Sequence, residues 1–421
     1  MDPGRQDEWK ERLIAYVLEH GDSLEFTRHF WKGCEPIEVE VIQYHKFAAA
    51  TRLAAEGRDD EAIALELDSG KSTIYTWRTL RQMPKFGHFL RMLTTRGLPA
   101  EGKVWLATET SHGHGVPVGK FIQVPMVVNT WNDIESVLIQ LSDLNQPKPT
   151  RTREYLLGFL IGIIMGDAAK SKSREGASHR HIALVLSKKY ATNLLIGEFA
   201  CVSAKSIGLR MHRVNDLAKP PHKPFGFYEW VSQASPLVDW IYNIALGLKD
   251  GQLTTYDPVH ADWMLQSPRD FRIGVINGIA ESDGSVAIAS QEVEFWVDPH
   301  RDLLKKMLEL EGLRAFNNRQ ALSLSKTHAI KSFEVPIFNP ELRTVRYQRH
   351  EVMAKARTLR RDERLPEELK LEIIALATQN LSVPDIVERI AETRKILISF
   401  EAAQRWASKA SRDGTTSERP Q

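Results

Sequence analysis

Two aspartates, Asp167 and Asp283, close two similar segments and are the residues best placed to do chemistry. The first segment reads Tyr155-Leu-Leu-Gly-Phe-Leu-Ile-Gly-Ile-Ile-Met-Gly-Asp167, the second Phe271-Arg-Ile-Gly-Val-Ile-Asn-Gly-Ile-Ala-Glu-Ser-Asp283. Small residues recur every fourth position, at Gly158, Gly162 and Gly166 and at Gly274, Gly278 and Ser282, so each set falls on one helix face. An interior glycine costs a helix about 1 kcal/mol relative to alanine. That cost is offset where a second backbone must come close, as in helix pairs with small residues in their seam. The two segments are therefore expected to pack on each other. If they cross in parallel, both carboxylates arrive side by side at negative helix ends, where each repels the other. A divalent cation such as Mg²⁺ relieves both penalties, and beside a phosphodiester it polarises the phosphoryl group.

The chain beyond each aspartate is similar too. After Asp167 the pattern gives a strand at 182–187, a helix over 191–207, strands near 209–214 and 227–232, and a helix over 236–248. After Asp283 it gives strands at 286–289 and 293–297, a helix over 301–310, strands at 321–325 and 331–337, and a helix over 347–360. The two aspartates stand 116 residues apart, a spacing that suits one α/β repeat.

These segments resemble the two motifs of the LAGLIDADG (dodecapeptide, DOD-type) homing endonucleases. Ile276-Asn-Gly-Ile-Ala-Glu-Ser-Asp-Gly284 is a close match and Leu160-Ile-Gly-Ile-Ile-Met-Gly-Asp-Ala168 a looser one. Over residues 150–360 the resemblance implies an α+β fold of two tandem αββαββα repeats. These form a pseudo-two-fold saddle whose strands enter the DNA major groove, with Asp167 and Asp283 as catalytic metal ligands. The sequence departs from the family's pattern in places. Ala168 stands where the family has a terminal glycine, so the first helix is expected to end without a left-handed residue. Met165 replaces an acidic position that Glu281 keeps, and Val185 and Trp296 are apolar where some members carry a polar strand residue. A self-splicing role is not expected, since no splicing Cys or Ser opens the chain and no His-Asn closes it.

The flanks look helical. Residues 8–20 and 41–55 each carry a one-sided apolar pattern. Residues 61–78 resemble a helix-turn-helix that would present Lys71, Ser72, Thr73, Tyr75 and Arg78 to DNA. A looser copy runs from Leu381 to Trp406, with Gln404 and Arg405 outward. Lys170, Lys172, Arg174 and Lys188 form a basic apron beside Asp167, and Arg319, Lys326 and Lys331, with His328, are expected on the matching strands of the second repeat. All are candidate phosphate contacts. The Gly-rich loop at 111–115 and the tryptophans Trp9, Trp31 and Trp105 read as structural.

The divisions expected are a helical DNA-binding domain at 1–90, a small mixed segment and linker at 91–150, repeats at 151–265 and 266–361, a helical module at 362–411, and a disordered tail at 412–421. The chain of 421 residues carries 56 Lys and Arg against 54 Asp and Glu, which excludes a uniformly basic DNA wrapper but not local basic faces. Two cysteines, Cys34 and Cys201, exclude a disulfide framework and a multi-cysteine zinc site. No apolar run reaches the roughly 20 residues a membrane span needs. The expectation is a cytoplasmic monomer, nucleoid-associated when bound to double-stranded DNA. Two functions remain open: a Mg²⁺-dependent site-specific endonuclease, and a non-cleaving transcriptional regulator on the same scaffold.

Overall fold

The computed structural model describes residues 27–28, 37–38, 57–67, 69–78, 103–110, 117–142, 151–172, 180–214, 225–248, 259–319, 321–359 and 363–413. The helices expected at 8–20 and 41–55, the loop at 111–115, Arg174, Cys34 and residues 414–421 of the expected tail lie outside these residues.

Among the described residues, two strand pairs and three helices precede the first aspartate's segment. Thr27–Arg28 (β1) pairs with Ile37–Glu38 (β2), and Lys103–Thr110 (β3) with Pro117–Pro125 (β4), both antiparallel. Between them lie the short helices Asp60–Glu66 (α1) and Lys71–Arg78 (α2), which bury Ile63, Leu67, Ile74 and Trp77 against one another. Trp131–Ser142 (α3) packs on the β4 side.

From residue 151 the chain runs through one element order and then repeats it with one further helix. The first pass is Arg153–Met165 (α4), Ala168–Lys172 (β5), Arg180–Ser187 (β6), Asn193–Ser206 (α5), Met211–Arg213 (β7), Phe227–Ser232 (β8) and Pro236–Trp240 (α6). The second is Arg269–Asp283 (α7), Gly284–Ala287 (β9), Glu292–Phe295 (β10), Arg301–Leu310 (α8), Ala315–Asn318 (β11), Ala321–Leu324 (β12), then Lys326–Lys331 (α9) and Val345–Lys355 (α10). The antiparallel sheets share one order, β5-β6-β8-β7 and β9-β10-β12-β11. Alternation sets their faces: Ile182, Leu184 and Leu186 of β6 are buried while Val185 is exposed. In the second sheet Val293 and Phe295 are buried, while Glu292 and Glu294 reach the surface.

The molecule's centre is the crossing of α4 and α7. Helix α4 is buried from Tyr155 to Met165, apolar on every side, as a helix enclosed by other elements must be. A Cβ on Gly158 would overlap the Phe271 carbonyl, on Gly162 that of Val275, on Gly274 that of Tyr155, and on Gly278 that of Phe159. The two backbones touch along the whole ridge, which is why the small residues recur. At the far end Tyr155 Oη donates to Asn277 Oδ1 over 2.6 Å, and Thr152 Oγ1 to Asp270 Oδ2 over 2.9 Å. Thr152 also caps α4 by accepting from Tyr155 N. Thr152→Ala removes both contacts and is expected to lower stability by about 1 kcal/mol in urea denaturation.

Several elements differ from expectation. The stretch 331–337 is not a strand: α9 ends there and turns follow, because Pro336 has no N–H for a ladder and its carbonyl is taken by Asn277 Nδ2. Lys326, His328 and Lys331 therefore lie on a helix, not on strands. The helix expected over 236–248 changes after Trp240 into a π turn, Ile241–Ala245. The helix expected over 347–360 stops at Lys355, and Arg357–Thr358 (β13) pairs in parallel with Ile396–Leu397 (β14). The strand expected at 293–297 stops at Phe295. Past it, Glu367–Thr378 (α11), Val383–Arg394 (α12) and Phe400–Asp413 (α13) bury Leu369, Ile373, Ile386, Ile390 and Ala403 together. Helix α13 thus runs two residues past the boundary expected for the tail.

Candidate active site at the helix ends

Helix α7 runs through Asp283, whereas α4 stops at Met165 and bends at Gly166, leaving Asp167 one residue beyond. Gly166 closes α4 through its N–H to Gly162 O, 3.1 Å away, with φ −94° and ψ −104°. A Cβ on it would strike Ser282 Oγ and stand 3.0 Å from Asp283 Oδ2. The second aspartate's carboxylate thus leans across the crossing towards the first helix. The left-handed glycine expected at the terminal position is not used. Gly284 is extended, with φ −82°, and begins β9, so Ala168 in its place carries no backbone penalty. The sharp bend of the first copy sits at Gly166 instead.

Each aspartate leads directly into a sheet and faces an apolar residue across it. Ala168 pairs with Leu184, which sets Asp167 against Val185. Gly284 pairs with Phe295, and Trp296 N donates to Asp283 O over 3.0 Å. Trp296 is 54 % exposed beside the site.

Asp283 is half-buried and Asp167 remains open to water on one side. Both carboxyls are nevertheless pushed above the usual range, first by the water that surrounding protein displaces. For Asp283 the neighbouring charge of Asp167 adds to this and Arg346 opposes it, leaving the carboxyl raised to about 7. For Asp167 Arg346 again opposes the rise. The protons of such a pair belong to both groups.

Arg346 joins the site without any motif to mark it, and Glu281, legible only as a retained acid, proves to brace it. Arg346, in the first turn of α10, donates from Nε to Gly284 O (2.7 Å) and from Nη2 to Ser282 O (3.0 Å). Glu281 is fully buried, accepting from Asn339 N (2.9 Å) and Thr344 Oγ1 (2.8 Å), and so ties α7 to the segment leading into α10. Burial lifts its carboxyl to about 7, against its hydrogen bonds and Arg346. Only the length of the basic run 343–364, with eight Lys and Arg to three Asp and Glu, hinted at Arg346.

A raised carboxyl favours folding fully below its unfolded pKa and loses that advantage as pH climbs towards the folded one. Glu281 and Asp283 should therefore lower the melting temperature between about pH 4 and pH 7, with no further loss above. Glu281→Gln should show a smaller fall in melting temperature from pH 5 to pH 8 than the parent protein.

The remaining candidates are placed unevenly. Lys71, Ser72 and Tyr75 are exposed on α2 and Thr73 half so; Lys71 lies 3.4 Å from Glu61. Arg78 folds back instead, donating to Asp60 Oδ1 (2.6 Å) and Arg58 O (2.8 Å), so it braces α1 against α2. The register sets Lys170 opposite Ile182 and Lys172 opposite Arg180. Lys188 lies over the Tyr228 ring at 5.2 Å. Arg319 is exposed in the β11–β12 turn with φ 49°, Lys326 is exposed on α9, and Lys331 Nζ donates to Gly312 O. Gln404 and Arg405 are exposed on α13, as expected.

No group of three or more His, Cys, Asp or Glu suited to a metal is gathered among the described residues. Two carboxylates at one spot still fit a hard divalent cation that fills its other positions with phosphate and water oxygens. Among the described residues no helix is long and apolar enough to cross a membrane.

The chain is similar to LAGLIDADG proteins. I-DmoI in complex with DNA and Mn is 15% identical, with a TM-score of 0.33, over 45% of this chain and 99% of its own. The N-terminal LAGLIDADG domain of WhiA is 14% identical, with a TM-score of 0.28, over 52% and 98%. The homing endonuclease I-WcaI bound to its DNA recognition sequence is 11% identical, with a TM-score of 0.33, over 51% and 91%. No family model and no curated protein matches the chain.

Proposed function

We propose that the protein is a DNA-binding protein of LAGLIDADG type that cleaves double-stranded DNA at chosen sites. The two passes would form a pseudo-two-fold saddle over the duplex, as repeats 151–265 and 266–361 of one monomeric chain. The observation that supports this is the delivery of Asp167 and Asp283 to one spot, at the ends of touching helices and at the head of both sheets. Asp167 and Asp283 would hold a divalent cation, Mg²⁺ in the cell, which when bound polarises a phosphodiester and lowers the pKa of water. The chain's own part is to fix both carboxylates beside that phosphate. Lys188, Arg319 and Lys326 would meet phosphates at the rim, with Lys170, Lys172 and Lys331 as further contacts. Helices α1–α2 would act as one helix-turn-helix, through Lys71, Ser72, Thr73 and Tyr75, and α12–α13 as a second, through Gln404 and Arg405. We place this activity in the cytoplasm.

The test is incubation of the full chain with a randomised duplex library and Mg²⁺ or Mn²⁺, followed by sequencing of new ends. Recurrent cuts that vanish in Asp167→Asn and Asp283→Asn support the reading; no cuts, or cuts indifferent to both changes, overturn it. A second reading, a non-cleaving regulator, is favoured by Val185 and Trp296 facing the aspartates and by Glu292 and Glu294 reaching the second sheet's surface. Selective binding that needs no metal and leaves the duplex whole would decide for it.

A further inference from the structure

Arg346 is placed against the interest of its own helix. It is the second residue after the Thr344 cap, in a first turn of α10 that carries no acid, where the positive helix end disfavours a cation. Its guanidinium instead serves another helix, donating to Ser282 O and Gly284 O at the C-terminal end of α7. There a cation meets the negative helix end and satisfies the Ser282 carbonyl that helix geometry leaves free, together with that of Gly284 at the start of β9. Among the described residues, Arg346 is the one cation whose charge opposes the rise of either aspartate. One guanidinium therefore serves the whole acid pair, and its charge acts on Asp167, Asp283 and Glu281 alike.

Resting on the proposed acid-pair site, we propose that Arg346 is its built-in counter-charge, a positioning residue that steadies the end of α7 and holds down the affinity of the free protein for divalent cations. Formally, the guanidinium offsets one of the negative charges that Asp167 and Asp283 offer a cation. A phosphodiester on the site adds another and lets the cation bind. Metal uptake is thereby coupled to DNA, and a free cation is not stored.

The test is Mn²⁺ binding to the full chain without DNA, read by loss of the free-ion electron paramagnetic resonance signal. Arg346→Gln keeps N–H donors for the Ser282 and Gly284 carbonyls but removes the charge; Arg346→Met removes both, and Arg346→Lys keeps the charge. The expected result is Mn²⁺ binding about tenfold tighter or more in Arg346→Gln, unchanged binding in Arg346→Lys, and loss of the gain when Asp283→Asn is added. Mere structural damage would weaken binding, so the sign separates the two roles. If Arg346→Gln melts cooperatively and binds Mn²⁺ no tighter than the parent, or if Arg346→Lys binds as tightly as Arg346→Gln, the proposal is overturned. Should the glutamine variant fail to fold, Arg346→Met takes its place, with the same tightening expected and the same failure overturning the proposal. If the parent binds Mn²⁺ and Asp167→Asn and Asp283→Asn bind it equally well, the acid-pair site itself fails, which is a different outcome.

Discussion

Gly278→Ala should destabilise the protein by about 3 kcal/mol or more, although alanine is the better helix former. The intrinsic gain is about 1 kcal/mol. Against it, the new methyl would overlap the Phe159 carbonyl and lie 2.7 Å from Ile163 N and 2.8 Å from Gly162 Cα, all of it backbone that cannot swing aside. Overpacking a flexible core side chain already costs about 1–3 kcal/mol, and here two helices must separate. Losses of this size are rare enough to identify the mechanism. Gly57→Ala is the control: nothing lies within 4 Å of the added methyl, so its effect should stay within about 0.5 kcal/mol. Guanidinium denaturation of the three proteins decides the matter. A tolerated Gly278→Ala would mean that α4 and α7 do not touch along this ridge.

Asp167→Asn and Asp283→Asn should each reduce DNA cleavage by about 10³-fold or more while leaving the fold intact. A bound metal contributes several kcal/mol of transition-state stabilisation, and each ~1.36 kcal/mol is a factor of ten. The double variant should be little worse than either single one, since groups that act as a unit do not add. Stability should move the other way. At pH 8 each change removes a carboxylate that its neighbourhood disfavours, so the asparagine variants should melt at or above the parent temperature. Lower activity with equal or higher melting temperature separates a working acid pair from a structural one. Variants that melt lower and cut normally would contradict the assignment.

The ridge was legible because its cause is local: one small residue per turn leaves a trace at fixed spacing, and only a close backbone explains the repeated glycine. Three strands of each sheet were legible for the same reason, through period-two alternation, whereas β5 (Ala-Ala-Lys-Ser-Lys) and β11 (Ala-Phe-Asn-Asn) carry too little of it to be read. Arg346 was not, because its function is set by a helix whose end lies some sixty residues earlier, and a lone arginine in a basic run carries no spacing signal. Glu281 appeared as a retained acid, but its burial depends on Thr344 and the Asn339 backbone, which no periodicity connects to it. The false strand at 331–337 shows the reverse failure. Phe333, Val335 and Ile337 alternate with Ser332, Glu334 and Pro336, which imitates a strand, yet the stretch lies in turns that pack on His350 and receive Asn277. Arg78 shows that a basic residue on a presumed recognition helix can be taken by a carboxylate of the preceding helix, Asp60.

Anomalous diffraction from crystals of the full chain grown with duplex DNA and Mn²⁺ tests the central claim most directly. A manganese peak bound by carboxylate oxygens of both Asp167 and Asp283, where α4 and α7 end, is the predicted result. Carboxylates that turn away from each other, with no manganese between or beside them, would contradict it.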